Sequence, residues 1–147
     1  MSAILQTTPR PVFLATELVA SAARTATGVS DAVRLPDAPN GYGFVFDVSA
    51  AATAAGDTLD MKIQTKIDGT NWLDVVVFTQ VLGNGGAKRY IAKVSSNGAQ
   101  TMFENASALA AGSIRNLVGD EWRCAWSITD ATTDDASFTF SVTAMPM

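Results

Sequence analysis

The amino-acid sequence predicts an all-β protein, an antiparallel β-sandwich or jelly roll of about eight short strands. Two observations lead to this class. Apolar and polar residues alternate with a period of two in several segments, which places successive side chains on opposite faces of a sheet. Short stretches rich in Gly, Asn and Asp separate these segments and predict tight turns between antiparallel strands.

The alternation is clearest at residues 59–67, where the apolar Met61 and Ile63 alternate with the polar Lys62 and Gln64. This pattern predicts a strand with one face in water. Alternation or β-branched composition predicts six strands in all, at 42–48, 59–67, 72–79, 88–94, 122–129 and 138–144. Residues 12–27 have room for one or two more.

Residues 104–117 are less clear, because their Ala, Leu and Ile also suit a possible short helix that Gly112 would interrupt.

Three connections predict hairpins. The sequence Asp-Gly-Thr-Asn at 68–71 contains residues that tolerate positive φ and form Asx turns, so residues 59–79 are predicted to form a hairpin. The Gly-Asn-Gly-Gly sequence at 83–86 predicts a second, and the longer connection at 129–135 a third.

The chain divides into an extended N-terminal arm at 1–11 and a single β-sandwich domain at 12–147. Ile4 and Leu5 stand among polar residues, while Pro9 and Pro11 favour an extended course. An arm of this kind can add a strand to the exposed sheet edge of a neighbour, and these four residues are therefore candidate contacts. The alternative is a disordered terminus.

Charged residues make up 16% of the 147 residues, compared with about 25% in typical soluble domains. Such a surface favours a protein whose exterior is partly covered by a partner. The net charge of −4 and the scattered Lys and Arg residues argue against nucleic-acid binding. No segment approaches the roughly 18 apolar residues of a membrane-spanning helix, and the single cysteine excludes an internal disulfide.

The sequence contains no histidine, the commonest general base and metal ligand. We therefore expect that the protein is not an enzyme. The alternative is an enzyme that uses two carboxylates as its acid and its base. Residues 83–86 and Lys88 lack the spacing of a phosphate-binding loop. Two groups of residues offer oxygen ligands for Ca²⁺ without the EF-hand spacing, and we predict neither a metal nor a cofactor. They are Asp68, Asn71 and Asp74, and Asp130, Asp134 and Asp135.

The tryptophans have two predicted roles. Trp122 and Trp126 share an alternating face with Cys124, so all three are predicted to pack in the core. Trp72 follows the turn at 68–71 directly and is predicted to be partly exposed, which makes it a further candidate contact. Together with Tyr42 and Tyr90 it could instead form the stacking platform of a carbohydrate-binding module.

Residues 62–74, KIQTKIDGTNWLD, resemble a hairpin of virion proteins from tailed bacteriophages. In that hairpin a strand ending in Gln-Thr or Gln-Ser leads into an Asp-Gly-x-x-Trp turn. The resemblance implies a small β-sandwich decoration or cement protein that binds the major capsid protein on the capsid surface of the virion, as a dimer or trimer, after synthesis in the host cytoplasm. The alternatives are a tail or head-tail component and a carbohydrate-binding or adhesion module.

Overall fold

The computed structural model describes residues 14–99, 102–104, 108–131 and 136–147, and these ranges contain ten β-strands and no helix. No helix long and apolar enough to cross a membrane is found within these ranges. The strands are β1 (Thr16–Arg24), β2 (Gly28–Val29), β3 (Gly41–Ala50), β4 (Thr58–Lys66), β5 (Trp72–Val77), β6 (Val81–Leu82), β7 (Lys88–Ser95), β8 (Ser113–Ile114), β9 (Glu121–Thr129) and β10 (Phe138–Pro146).

The ten strands form two antiparallel sheets, which confirms the predicted all-β sandwich. The four-stranded sheet has the order β1-β10-β3-β7. The six-stranded sheet has the order β2-β9-β4-β5-β8, with β6 also paired to β4. All six segments predicted as strands contain strands, residues 12–27 contain β1, and β2 begins just after them at Gly28.

The main strands pair in a nested order. The outermost pair joins β1 to β10, the next joins β2 to β9, the third joins β3 to β7, and the innermost joins β4 to β5. The pairs alternate between the two sheets from the outermost to the innermost.

The turn at 68–71 connects two paired strands as predicted, since Lys66 pairs with Trp72 across it. The other two predicted hairpins are wrong. The turn at 83–86 leads from β6 in the six-stranded sheet to β7 in the four-stranded sheet, and the connection at 129–135 leads from β9 to β10 in the opposite sheet. Turn-forming residues reverse the chain, but they do not select the strand with which the next segment pairs.

The possible short helix near 104–117 is also wrong in the part that the structure describes. Residues 108–112 form coil and a turn, and β8 follows. The amide of Gly112 donates to the Val77 carbonyl (2.7 Å), and the amide of Arg115 donates to the Val75 carbonyl (2.7 Å). Sheet pairing thus takes the backbone donors that a helix would use internally.

Aromatic residues from both sheets fill the core. Trp122 of β9 is fully buried, and its ring lies 5.3 Å from that of Tyr42 and 5.4 Å from that of Phe44. Phe46 and Phe140, whose centroids are 6.0 Å apart, form a second group. The contacts of Trp122 join the inner faces of the two sheets, as expected from the alternating sequence pattern.

Candidate interaction surfaces

The candidate contact residues have different outcomes. Ile4, Leu5, Pro9 and Pro11 lie outside the described residues. Trp72 is the first residue of β5 and is half-buried, which confirms its predicted partial exposure. It lies on the outer face of the six-stranded sheet, beside residues of β4 and β9.

The ring of Trp72 contacts two cationic side chains. The Lys66 Nζ lies 4.7 Å from the centroid of its ring, and the Arg123 Cζ lies 4.3 Å from it. Both distances are within the range of cation-π attraction. Lys66 also pairs with Glu121 (Nζ to Oε2, 3.4 Å). The ring is therefore fixed by its own neighbours and is not a bare stacking surface.

A hydrogen-bond network continues from Arg123 across the same face. The Arg123 Nε donates to Gln64 Oε1 (2.8 Å), and Gln64 Nε2 donates to Asp74 Oδ1 (2.8 Å). Asp74 also pairs with Lys62 (3.3 Å). Partial burial lowers the pKa of Arg123, and the charge of Asp74 opposes this shift. The charges on this outer face are largely matched within the chain itself.

The three aromatic residues of the predicted stacking platform do not meet. Tyr42 is buried, and its hydroxyl donates to the Pro36 carbonyl (2.6 Å). Burial, with a smaller effect of Asp37, raises the pKa of this hydroxyl. Tyr90 belongs to the other sheet and stacks on Phe46 at 6.2 Å. A platform of Trp72, Tyr42 and Tyr90 is therefore wrong.

A groove lies beside the network, between β2, β9 and β4 on the outer face of the six-stranded sheet. Its volume is about 350 Å³. The small side chain of Ala125 lies between the larger neighbours Lys62 and Val29 in its lining. Gln64, Asp60 and other polar residues also line it, so the groove offers hydrogen-bonding groups beside an apolar floor.

The outer face of the four-stranded sheet has a different character, and we name it the Val45 face. Antiparallel register places Glu17, Thr143, Val45 and Ile91 in one row across all four strands. Neighbouring rows add small and polar residues, and four of the eleven residues of the face are charged. The Val45 face consists of Glu17, Gly43, Val45, Asp47, Arg89, Ile91, Lys93, Thr139, Ser141, Thr143 and Met145.

The sequence predicts the strands of the Val45 face only as separate segments. Nothing in those segments indicated that β1 and β7, which are distant in the chain, form the two edges of one sheet. Glu17 in particular has no role predicted from the sequence, and the row that it begins depends on strand order. A signal for this surface would require knowledge of the pairing.

Asp57 is a polar residue whose role sequence reasoning missed. Asp57 lies in the connection before β4 and is nevertheless fully buried. Its Oδ1 accepts from the Ala131 amide (3.0 Å), and its carbonyl accepts from the Gly83 amide (2.7 Å). Its Oδ2 has no hydrogen-bond partner among the described residues. Asp57 thereby joins three connections at one end of the sandwich.

The residues considered as Ca²⁺ ligands make contacts within the chain. Asp68 accepts hydrogen bonds from its own turn, and Asp74 serves Lys62 and Gln64. Asp134 and Asp135 lie outside the described residues. Within the described ranges, no group of three or more carboxylate, histidine or cysteine side chains could hold a metal ion.

Two of the three predicted core residues of β9 are fully buried. Cys124 and Trp122 point inward as predicted, and burial raises the pKa of the Cys124 thiol. Trp126 is half-buried and packs at the margin of the core, 5.6 Å from the ring of Phe140. Its Nε1 donates to the Ala26 carbonyl (3.0 Å).

The Asp68 turn predicts a pH dependence of stability. Asp68 Oδ1 accepts from the amides of Asn71 (2.7 Å) and Thr70 (2.9 Å), and these hydrogen bonds lower the pKa of the carboxyl from 3.8 to about 2. Because the folded pKa is depressed, the contribution of Asp68 is fully present above pH 3.8 and is lost as the pH falls through about 2.

The stabilities of the wild type and Asp68→Asn, measured by urea unfolding between pH 2 and 6, should therefore differ by a constant amount at the upper end. This difference should shrink towards pH 2, and a difference that grows there would contradict the assignment. The ¹³C carboxyl shift of Asp68 should titrate near pH 2.

Comparison of the chain with protein-family models, with curated proteins and with solved structures gives no match in any of the three.

Proposed function

We propose that this protein is a structural component of a bacteriophage virion, a capsid decoration or cement protein that binds the major capsid protein of a head shell. The nested strand pairing is the observation that carries the proposal. It supports a jelly roll, since a long hairpin wound in two arms around one core produces that topology. Jelly rolls build viral capsid domains as well as lectin domains.

The hairpin that resembles virion proteins gives independent support. Its two strands are β4 and β5, and Trp72 directly opposite Lys66 closes it. The contacts of the Trp72 ring with Lys66 and Arg123 fix this residue at the base of the turn. The segment that carries the resemblance is therefore a preorganised surface element, which suits a rigid protein contact.

The aromatic residues favour the virion role over the lectin role, because fold alone does not decide function. A sugar-stacking platform needs exposed rings on one surface. Tyr42 is buried, Tyr90 lies on the opposite sheet, and Trp72 already contacts two cations. A cement function needs a shaped surface of sufficient area and no catalytic group or cofactor.

A cement protein acts by linkage. It binds the assembled shell and not the free capsid subunits, so its binding free energy adds to the stability of the particle. At a free concentration one hundred times its dissociation constant, each occupied site adds about 2.7 kcal/mol. The proposed location is the outer surface of the capsid, with the protein acting as a dimer or trimer.

The proposal is tested with particles. Purified protein is mixed with shells lacking it, and binding is measured by co-sedimentation together with the temperature at which the shells disassemble. We expect saturable binding and a higher disassembly temperature. The proposal fails if the protein neither binds shells nor occurs in purified virions by mass spectrometry. Gold-labelled antibody on intact virions separates a head location from a tail or head-tail location.

The groove beside β2 favours one second candidate, a carbohydrate-binding module. Its polar lining residues could hydrogen-bond a small sugar over the apolar floor. A glycan array with wild type and Asp60→Ala, a change in the lining of the groove, tests this candidate. Sugar binding that Asp60→Ala abolishes would favour the module, whereas shell binding retained by Asp60→Ala without any glycan signal would favour the virion role.

A further inference from the structure

We infer that the Val45 face binds a second copy of this chain, face to face about a two-fold axis parallel to the strands. This inference deepens the proposed function by naming the partner and the surface for self-association. It is tested on purified protein without particles, so its failure is distinguishable from the failure of the proposed function.

The Val45 face has the shape and apolarity that sheet packing requires. Ile91 is 75% exposed and Met145 is 42% exposed, while Val45 at the centre is half-buried. Gly43 and Ser141 beside them are small, so no large side chain stands between these apolar groups. A second flat sheet can approach such a face to about 10 Å and cover its apolar side chains.

The two charged residues of this face that lack an ion pair in the described part of the chain lie at its opposite edges. Glu17 lies on β1 at one edge, and Lys93 lies on β7 at the other. Neither has an ion-pair partner among the described residues. Arg89 differs, because it already pairs with Asp47 in the same chain (3.3 Å). The face therefore presents an unpaired acidic residue at one edge and an unpaired basic residue at the other, and Val45 and Met145 lie on the strands between them.

These edges are complementary under one symmetry. A two-fold axis parallel to the strands reverses the order of the strands in the copy, so each β1 lies opposite the β7 of the other chain. Glu17 then faces the row of Ile91, and Lys93 is two residues, or about 7 Å, further along β7. A two-fold axis across the strands would instead place Glu17 opposite the other Glu17. Charge thus favours the first arrangement.

The isologous contact occurs twice, so each dimer contains two Glu17–Lys93 pairs. Either charge reversal alone should place like charges together at both contacts. A mixture of the two single variants should instead form a heterodimer. In that heterodimer the lysine introduced at position 17 of one variant meets the glutamate introduced at position 93 of the other, and the wild-type pair remains at the second contact. This rescue is specific to a contact between two copies.

The test is sedimentation equilibrium of the wild type, Glu17→Lys, Lys93→Glu, Ile91→Asn and an equimolar mixture of the two charge variants. The wild type should sediment as a dimer, and each single variant should weaken the dimer at least about tenfold, equal to about 1.4 kcal/mol. The mixture should recover the wild-type affinity. Asp31→Lys, which makes the same charge change at an exposed position outside the Val45 face, should leave the dimer unchanged.

The circular dichroism spectrum of each variant shows whether it is folded, and all substituted residues are exposed. A wild type that is monomeric throughout overturns the inference. So does a dimer that none of the three single substitutions on the Val45 face weakens, or a mixture no tighter than its components. If the wild type is monomeric and these variants lose shell binding, the Val45 face contacts the shell instead of a second copy.

Discussion

Replacing Trp122 by Ala should reduce the free energy of unfolding by about 3 to 5 kcal/mol, as is typical for truncation of a fully buried aromatic residue. Trp122 belongs to the six-stranded sheet, but its ring contacts Tyr42 and Phe44 of the four-stranded sheet at 5.3 and 5.4 Å. The substitution therefore leaves a cavity between the two sheets. Urea or guanidinium unfolding followed by circular dichroism measures the loss.

Trp72→Ala is the matched control for Trp122→Ala. It removes the same side chain from the outer face of the same sheet, where Trp72 is half-buried and its main contacts are the two cations. We expect a loss less than half that of Trp122→Ala, since no interior cavity forms. Equal losses for the two variants would mean that Trp122 does not bridge the sheets.

Replacing Gly41 by Ala should cost at least about 3 kcal/mol and could prevent folding. Gly41 begins β3 with φ at +110°, which side-chain-bearing residues rarely adopt. A Cβ at this position would also overlap the Val94 carbonyl oxygen in the neighbouring strand. Strain within the residue and a clash with backbone therefore act together, and neither is relieved by a rotamer change.

Gly86→Ala separates these two effects. Gly86 also has a positive φ, +73°, but no heavy atom lies within 4 Å of the position that its Cβ would take. Only the conformational cost remains, about 1 to 2 kcal/mol. Thermal or chemical unfolding of both variants should rank Gly41→Ala as clearly the more destabilised, and the reverse order would refute the clash with Val94.

Alternation and β-branched composition were sufficient to predict six of the seven long strands, and alternation gave the inward direction of Trp122 and Cys124. A side chain on one face of a half-buried strand must be apolar and one on the other must not, so the sequence itself records the direction. The turn at 68–71 was equally local, since Asp68 satisfies the amides of its own turn. Both predictions required nothing beyond a few consecutive residues.

The predictions that failed depended on distant residues. The sequence at 104–117 was compatible with a helix. In the structure, carbonyl groups of β5 accept hydrogen bonds from the amides of Gly112 and Arg115, and the described part of this segment is not helical. The turn at 83–86 was compatible with a hairpin of β6 and β7. Instead, β7 pairs with β3 in the four-stranded sheet, while β6 belongs to the other sheet. In each case the local sequence allowed two structures, and pairing with another part of the chain selected one.

The candidate surfaces divide in the same way. The sequence by itself determined that the protein is all-β, that Trp72 stands at a hairpin base, and that few charges cover its exterior, because composition and periodicity are properties of short segments. Only the tertiary structure decided that Tyr42 is buried and that Asp57 joins three connections. It also decided that Glu17 and Lys93 mark opposite edges of one face. Strand order brings these residues into place, and strand order is set by packing of the whole core.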